Sequence, residues 1–207
     1  MIGIIDYGMG NLFSVSKALE RLGVDYFISE VKDELFKADS LILPGVGSFK
    51  DAMERLNDTG LTEMVKEYVA TGKPLLGICL GMQLLFQQSE ENGLTKGLGI
   101  LPGEVVRFPG KDYKVPHMGW NKLRFTQSSP VLTNIEEDFV YFVHSYYVKT
   151  KNQEVVIASC EYDVEVPAVV GRNNIFGMQF HPEKSGKLGM ELLRNFTLLT
   201  KERMTIS

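Results

Sequence analysis

A short segment in the first half of the chain, residues 73–86, constrains the fold more than any other stretch. Residues 75–78 form an apolar run, too short for a helix, between a proline and a cysteine, which predicts a buried strand. Residues 80–86 are mostly apolar and predict the buried start of a helix. Cys79 stands at the corner in the pattern Gly-x-Cys-x-Gly, which is the pattern of a nucleophile elbow with cysteine as the nucleophile.

The position of Cys79 in this turn favours a reactive thiol. The thiolate is the nucleophilic form of cysteine, and the free N–H groups and dipole at a helix N-terminus favour it. The Leu80 N–H is then well placed to be one donor of an oxyanion hole. The alternative is that Cys79 is a small buried residue that serves packing alone, as free cysteines often do.

A second motif near the C-terminus, residues 176–183, reads Phe-Gly-Met-Gln-Phe-His-Pro-Glu. It predicts a strand whose end carries His181 and Glu183. Side chains two residues apart on an extended segment point the same way, and Pro182 favours extended backbone at His181. We therefore expect Glu183 to orient the imidazole while the other ring nitrogen faces a thiol. A cysteine nucleophile, a histidine base and a carboxylate are the set that acyl transfer requires.

The elbow at Cys79, followed in the last quarter of the chain by His181-Pro182-Glu183, resembles the class I (triad-type) glutamine amidotransferases over the whole length of the chain. The resemblance implies hydrolysis of glutamine to glutamate and ammonia through a thioester on Cys79, with no cofactor. We expect no metal site, because the spacings of His117, His144 and His181 match no metal-ligand motif.

Strands and helices alternate along the first half of the chain, which predicts a parallel sheet with helices on both faces. The expected strands are residues 2–5, 24–28, 40–43 and 75–78, and the expected helices include 49–56 and 61–70. From Gly97 onward, short strands with regular turn signals predict a partly antiparallel extension of the main sheet. The resemblance implies the same α/β architecture, a flavodoxin-like three-layer fold, and we expect one domain over residues 1–207.

The resemblance also implies where substrate would bind. The loop after the third strand reads Pro-Gly-Val-Gly, and relatives draw a second oxyanion donor and a wall of the glutamine pocket from it, here near Val46 and Gly47. Glycines on both sides make the Val46 peptide easy to reorient. Gln83 lies one helical turn beyond the elbow. It matches a position that holds the substrate glutamine in members of the family, as does the segment His144-Ser145-Tyr146.

Three segments narrow the resemblance within the family: residues 5–11 (Ile-Asp-Tyr-Gly-Met-Gly-Asn), Gly-Met-Gln after the elbow, and residues 116–121 (Pro-His-Met-Gly-Trp-Asn). They resemble the branch that serves histidine biosynthesis, which implies a heterodimer with a separate cyclase, or synthase, subunit that uses the ammonia. We expect that partner to contact residues beyond strand ends or beside the triad, namely Asn11, Met118, Trp120 and Lys184.

Other functions on the same fold stay open. They are an amidotransferase subunit for anthranilate, aminobenzoate or GMP synthesis, a γ-glutamyl hydrolase or cysteine peptidase, and a catalytically inactive binding subunit.

Composition excludes several classes of function. A net charge of −4 argues against a general nucleic-acid surface. Two cysteines provide no disulfide framework, and a working thiol suits a reducing compartment. The chain start has no basic segment followed by an apolar one, and no apolar run approaches the length of a membrane span. We therefore expect a cytoplasmic protein that acts on glutamine and binds neither membranes nor nucleic acid.

Overall fold

The computed structural model describes residues 1–110 and 113–204. Its α-helices are α1 (Leu12–Arg21), α2 (Lys32–Lys37), α3 (Phe49–Asp58), α4 (Leu61–Ala70), α5 (Leu80–Leu84) and α6 (Gly186–Met204). Its strands are β1 (Ile2–Ile5), β2 (Tyr26–Ser29), β3 (Ser40–Leu43), β4 (Leu75–Ile78), β5 (Gln88–Ser89), β6 (Thr95–Lys96), β7 (Glu104–Arg107), β8 (His117–Lys122), β9 (Arg124–Phe125), β10 (Phe139–His144), β11 (Tyr146–Lys149), β12 (Val156–Tyr162), β13 (Val164–Arg172) and β14 (Ile175–Met178). Across these residues, no helix combines the length and apolarity needed to cross a lipid bilayer.

The central sheet has the strand order β2-β1-β3-β4-β14-β13-β12-β9. The first five strands run parallel, and β13, β12 and β9 continue the sheet in antiparallel pairing. The predicted mostly parallel α/β sheet with an antiparallel extension is therefore confirmed. The predicted bounds of β1, β3 and β4 are also confirmed, whereas β2 begins two residues later than expected and α2 was not expected.

Helices cover both faces of this sheet because its strands are buried on both sides. Ile4 and Ile42 pack into one core with α1 and α6. Ile5, Leu41 and Leu43 pack into the other core with α2, α3, α4 and α5. Consecutive strand residues thus point to opposite layers, which is why the strands read as continuous apolar runs rather than as alternating ones.

The remaining strands form two small sheets beside the central one. β8 pairs antiparallel with β10, and β11, β7, β5 and β6 form a four-stranded sheet. The expectation that the second half of the chain continues the main sheet is thus right for β9, β12 and β13 and wrong for these strands. The β8–β10 ribbon bonds directly to the loop after β14, where the His181 N–H donates to the Tyr141 carbonyl oxygen at 3.2 Å.

Three neighbouring strands, β3, β4 and β14, end on the same edge of the sheet. The loop that begins at Pro44 follows β3, Cys79 follows β4, and His181 lies just beyond β14. Because parallel strands point their carboxyl ends the same way, the fold brings these three segments together where α/β sheets bind ligands.

Candidate active site

Cys79 occupies the sharp turn between β4 and α5. Its backbone has φ 54° and ψ −113°, a conformation that is strained for a residue with a side chain and that is found at functional turns. The two flanking positions have no room for a side chain. A Cβ on Gly77 would lie 2.6 Å from the Gly81 carbonyl oxygen, and a Cβ on Gly81 would overlap the Leu43 carbonyl oxygen. The predicted elbow is therefore the observed local structure.

His181 and Glu183 meet as predicted, although by a different backbone route. The His181 Nδ1 lies 2.8 Å from Glu183 Oε1, and both side chains are almost fully buried. The expectation of extended backbone through Glu183 is wrong, because residues Pro182–Lys184 form a 3₁₀ turn. The turn, begun by the fixed φ of Pro182, brings the carboxylate back under the imidazole. Within the described chain, Glu183 Oε2 has no hydrogen-bond partner, so His181 is the group that this carboxylate orients.

The remaining ring nitrogen of His181 is available to the Cys79 thiol, which lines the same cavity. Burial by itself lowers the pKa of His181, but its hydrogen bonds and charge interactions with Cys79 and Glu183 outweigh burial and raise the pKa from 6.5 to about 10. A pKa raised this far favours the state in which His181 holds the proton that the Cys79 thiol gives up. The structure thus places the three side chains together, and their roles as nucleophile, base and orienting carboxylate stay predictions.

A cavity of about 360 Å³ opens in front of Cys79 and His181. Its wall includes every residue that the sequence assigned to the oxyanion hole or to glutamine: Val46, Gly47, Leu80, Gln83, His144, Ser145 and Tyr146. Three further wall residues, Glu91, Pro116 and Val143, were not expected. The structure therefore gathers these residues around one space, while their individual contacts with a substrate stay predictions.

Leu80 and Val46, two of the three residues predicted for the oxyanion hole with Gly47, differ in their present hydrogen bonding. The Leu80 N–H is the first amide of α5, a position with no acceptor inside the helix. The Val46 N–H instead donates to the Met9 carbonyl oxygen at 2.9 Å. In this conformation the Val46 N–H is committed to another loop, and it would have to leave Met9 before it could serve an oxyanion.

Hydrogen bonds fix the orientation of the Gln83 side chain. Its Nε2 donates to the Tyr146 carbonyl oxygen and to Gln179 Oε1, both at 3.0 Å. With both N–H groups used, Oε1 is the polar atom that Gln83 has left for the cavity. Gln83 therefore offers an acceptor, which suits a substrate group that carries N–H donors.

Glu91 is a site residue that sequence reasoning missed. It lines the cavity and is half-buried, and its Oε2 accepts a hydrogen bond from the Phe49 N–H at the start of α3, at 2.8 Å. Forty-two positions separate the two partners. No local motif marks Glu91, so only the packing of its loop against α3 reveals a carboxylate on this wall.

His144 lies on the wall, but its ring nitrogens are already bonded. Nδ1 lies 2.7 Å from the Tyr146 carbonyl oxygen, and Nε2 lies 2.9 Å from His117 Nδ1. The imidazole therefore has no free nitrogen for a ligand, and the predicted contact of this segment with substrate would have to come from its other groups. Among the described residues, no group of three or more His, Cys, Asp or Glu side chains could hold a metal ion.

The residues expected to contact a partner lie outside the cavity. Met118 is 64% exposed and Trp120 is 56% exposed, both on β8, and Lys184 is also exposed. Asn11 caps α1, where its Oδ1 accepts a hydrogen bond from the Ser14 N–H at 3.2 Å. Trp120 therefore does not pack in the core of this chain, and its role in assembly stays a prediction.

Comparison with known proteins gives three results. Residues 3–199 match the family described as glutamine amidotransferase class-I. Proteins named imidazole glycerol phosphate synthase subunit HisH are 65% identical in Geobacillus thermodenitrificans, over 95% of this chain and 94% of theirs, and 57% identical in Bacillus subtilis, over 98% of each. A solved structure described as a glutamine amidotransferase aligns with a TM-score of 0.77 at 21% identity, over 97% of this chain and 98% of its own. The curated relatives thus match nearly the whole chain, and the solved structure matches its fold.

Proposed function

The chain belongs to the class I glutamine amidotransferases, and we propose that it is the glutaminase subunit of an imidazole glycerol phosphate synthase. It hydrolyses glutamine to glutamate and passes the ammonia to a synthase subunit, which makes imidazole glycerol phosphate and an aminoimidazole carboxamide ribotide in histidine biosynthesis. Its full-length relatives bear this name. The observation that carries the chemistry is the contact of 2.8 Å between His181 and Glu183 beside a strained Cys79.

The reaction proceeds through a thioester. His181 takes the thiol proton, and the Cys79 sulfur attacks the side-chain amide carbon of glutamine to form a tetrahedral oxyanion. The Leu80 N–H and a peptide at Val46 and Gly47 stabilise that oxyanion. As the C–N bond breaks, His181 returns the proton to the departing ammonia. Water then attacks the thioester with His181 as base, which releases glutamate and restores the thiol.

The cavity wall suits the amino-acid end of glutamine. Gln83 offers an acceptor oxygen and Glu91 a carboxylate, and an ammonium group needs such acceptors. Because the resemblance assigns the substrate carboxylate to the backbone after His144, we place that carboxylate at Ser145 and Tyr146. The ammonium then lies on the side of Gln83 and Glu91, with the side-chain amide at the thiol.

The outer face of the β8–β10 ribbon is the docking surface for the synthase subunit. It exposes Met118, Trp120 and Phe139, and large exposed apolar side chains that lie together mark interaction sites. The ribbon also bonds to His181 through Tyr141. A partner on this face would therefore lie close to where ammonia is released, and we assign Asn11 and Lys184 to the same interface.

Replacing the nucleophile tests the proposed function. Cys79→Ala should abolish glutamine-dependent product formation by the assembled synthase but preserve synthesis from added ammonium salt, because free ammonia does not need the thiol. Cys160→Ala is the matched control, since Cys160 is equally buried and lies in the apolar core away from the cavity. The glutamine analogue diazo-oxo-norleucine should label Cys79 in the unmodified chain.

Two results would contradict this assignment. Glutamine-dependent synthesis that survives in Cys79→Ala would remove the nucleophile from its role. Glutamate release from γ-glutamyl peptides, with none from glutamine, would favour a hydrolase on the same fold.

A further inference from the structure

The inner face of the β8–β10 ribbon carries a buried pair of histidines that the reaction itself does not use. His117 and His144 are directly opposite each other in the antiparallel register, and they are 2% and 7% exposed. The outer face of the same ribbon carries Met118 and Trp120. His144 of this pair also lines the glutamine cavity.

Each histidine of the pair is held in one tautomer. Burial lowers the pKa of His117 to about 4 and the pKa of His144 to about 3, so both rings are neutral at pH 7 and each has one donor and one acceptor. The Tyr146 carbonyl oxygen can only accept, so His144 Nδ1, at 2.7 Å, donates to it. The acceptor Nε2 of His144 then receives its hydrogen bond from His117 Nδ1 at 2.9 Å.

The chain of hydrogen bonds begins at β8 and ends at the cavity. His117 Nε2, left as an acceptor, lies 3.5 Å from Asn121 Nδ2. At the other end, the Tyr146 carbonyl oxygen receives a second hydrogen bond from Gln83 Nε2 at 3.0 Å. Donors therefore run in one direction from Asn121 to Tyr146, and the last acceptor also fixes Gln83.

Packing holds the first ring of the chain in place. The His117 imidazole is stacked between Tyr162 and Phe142, with ring centroids 3.8 and 4.6 Å away. A ring clamped on both faces cannot rotate away from His144 without moving its neighbours. The position of the His117 Nδ1–H is thus set by the core rather than by the cavity.

We propose that His117 is a positioning residue for glutamine binding, which acts through His144 on the Tyr146 carbonyl and Gln83. This inference rests on the proposed function, because it assigns glutamine to the cavity that these two groups line. His117 touches no substrate, and its effect is to keep His144 as an Nδ1–H donor and so to hold the cavity wall in its binding shape.

His117→Phe is the main test, since phenylalanine keeps the stacked ring and removes the donor. It leaves His144 Nε2 as a buried acceptor without a partner, and we expect the KM for glutamine to rise about tenfold. The kcat should stay within about twofold, because the triad is untouched. His117→Asn retains an amide donor near the Nδ1 position and should recover most of the lost affinity.

Two controls separate this role from packing. Val140→Ala removes buried apolar volume from the same face of β10, and it should lower the melting temperature without changing the KM for glutamine. Synthesis from ammonium salt by the assembled synthase should be unchanged in all these variants, because it does not require the glutamine cavity.

The tautomers give a readout that is independent of activity. The chain has three histidines, so long-range ¹H–¹⁵N spectra of histidine-labelled protein should resolve His117 and His144 as neutral Nδ1–H forms at pH 7.

A proton on Nε2 of His144 in the wild type would overturn the inference, as would an unchanged KM in His117→Phe. A wild-type chain without glutaminase activity in the full assembly with the synthase subunit and its nucleotide ligand would refute the proposed function instead, and the spectra would still decide the hydrogen-bond chain. If His117→Phe does not fold, the wild-type spectra decide it.

Discussion

Replacing Val46 by proline tests how glutamine hydrolysis is tied to the synthase subunit. In the structure the Val46 N–H donates to the Met9 carbonyl oxygen at 2.9 Å, so this predicted oxyanion donor is committed to another loop. The glycines on either side of Val46, of which Gly47 has φ 97°, let the peptide between them rotate. Proline at this position removes the N–H, so rotation of the peptide could then bring no donor from Val46 to the oxyanion hole.

The size of the effect follows from the donor count. One oxyanion-hole donor contributes about 3 kcal/mol to the transition state, or about a hundredfold in kcat. Rotation of the Val46 peptide breaks its bond to Met9, which by itself costs about 1 kcal/mol. A hundredfold stimulation requires that the rotated peptide lie about 2.7 kcal/mol above the observed one in the lone chain. Because a ligand shifts such an equilibrium only by its differential affinity, binding of the synthase subunit and its nucleotide has to supply that energy.

The assay measures glutamate release by the chain alone, with the synthase subunit, and with the subunit and its nucleotide ligand. We expect weak hydrolysis by the chain alone and a stimulation of at least about a hundredfold in the full assembly. Val46→Pro should lose that stimulation, whereas Val46→Ala, which keeps the N–H, should retain it.

Two outcomes would refute this reasoning. A lone chain that is already fully active would mean that the oxyanion hole needs no rearrangement. A Val46→Pro variant that is stimulated as strongly as Val46→Ala would mean that the second donor does not come from Val46.

Three further predictions concern the triad and the partner surface. Glu183→Gln should lower kcat less than His181→Ala does, because the base remains while the stabilisation of its imidazolium is weakened. Equal losses of kcat in the two variants across pH would contradict this division of roles. The folded-state pKa of His181 is raised from 6.5 to about 10, so its proton-linked stability is fully present below pH 6.5 and is lost as pH rises through about 10. The difference in melting temperature between wild type and His181→Ala should therefore shrink toward high pH. A difference that grows toward high pH would contradict a raised pKa of His181 in the folded state. Trp120→Ala should weaken assembly in a titration with the synthase subunit and leave the melting temperature of the chain unchanged, because Trp120 is 56% exposed. A lowered melting temperature with normal assembly would instead assign Trp120 to internal packing.

Most of the fold could be predicted because its signals are local. The apolar runs that became β1, β3 and β4 have the length of buried strands, and the strands that follow Gly97 show their own turn signals. The elbow at Cys79 was predictable for the same reason, since two glycines and a short apolar run within a few residues already describe the turn. The union of Cys79 with His181 followed from motif order and from the rule that parallel strands end on one edge.

Contacts between distant segments were decided only by the tertiary structure. The sequence alone does not reveal that Glu91 reaches the cavity, that the Val46 N–H is bonded to Met9, or that His117 opposes His144, because each depends on the register and packing of segments that are far apart along the chain. Even the contact of His181 with Glu183, although predicted, arises from a 3₁₀ turn rather than from an extended strand. The sequence thus determined which residue types the site contains and the order of its elements. Their hydrogen-bond partners were decided by packing, because a directional bond depends on ångström-scale placement that no local pattern records.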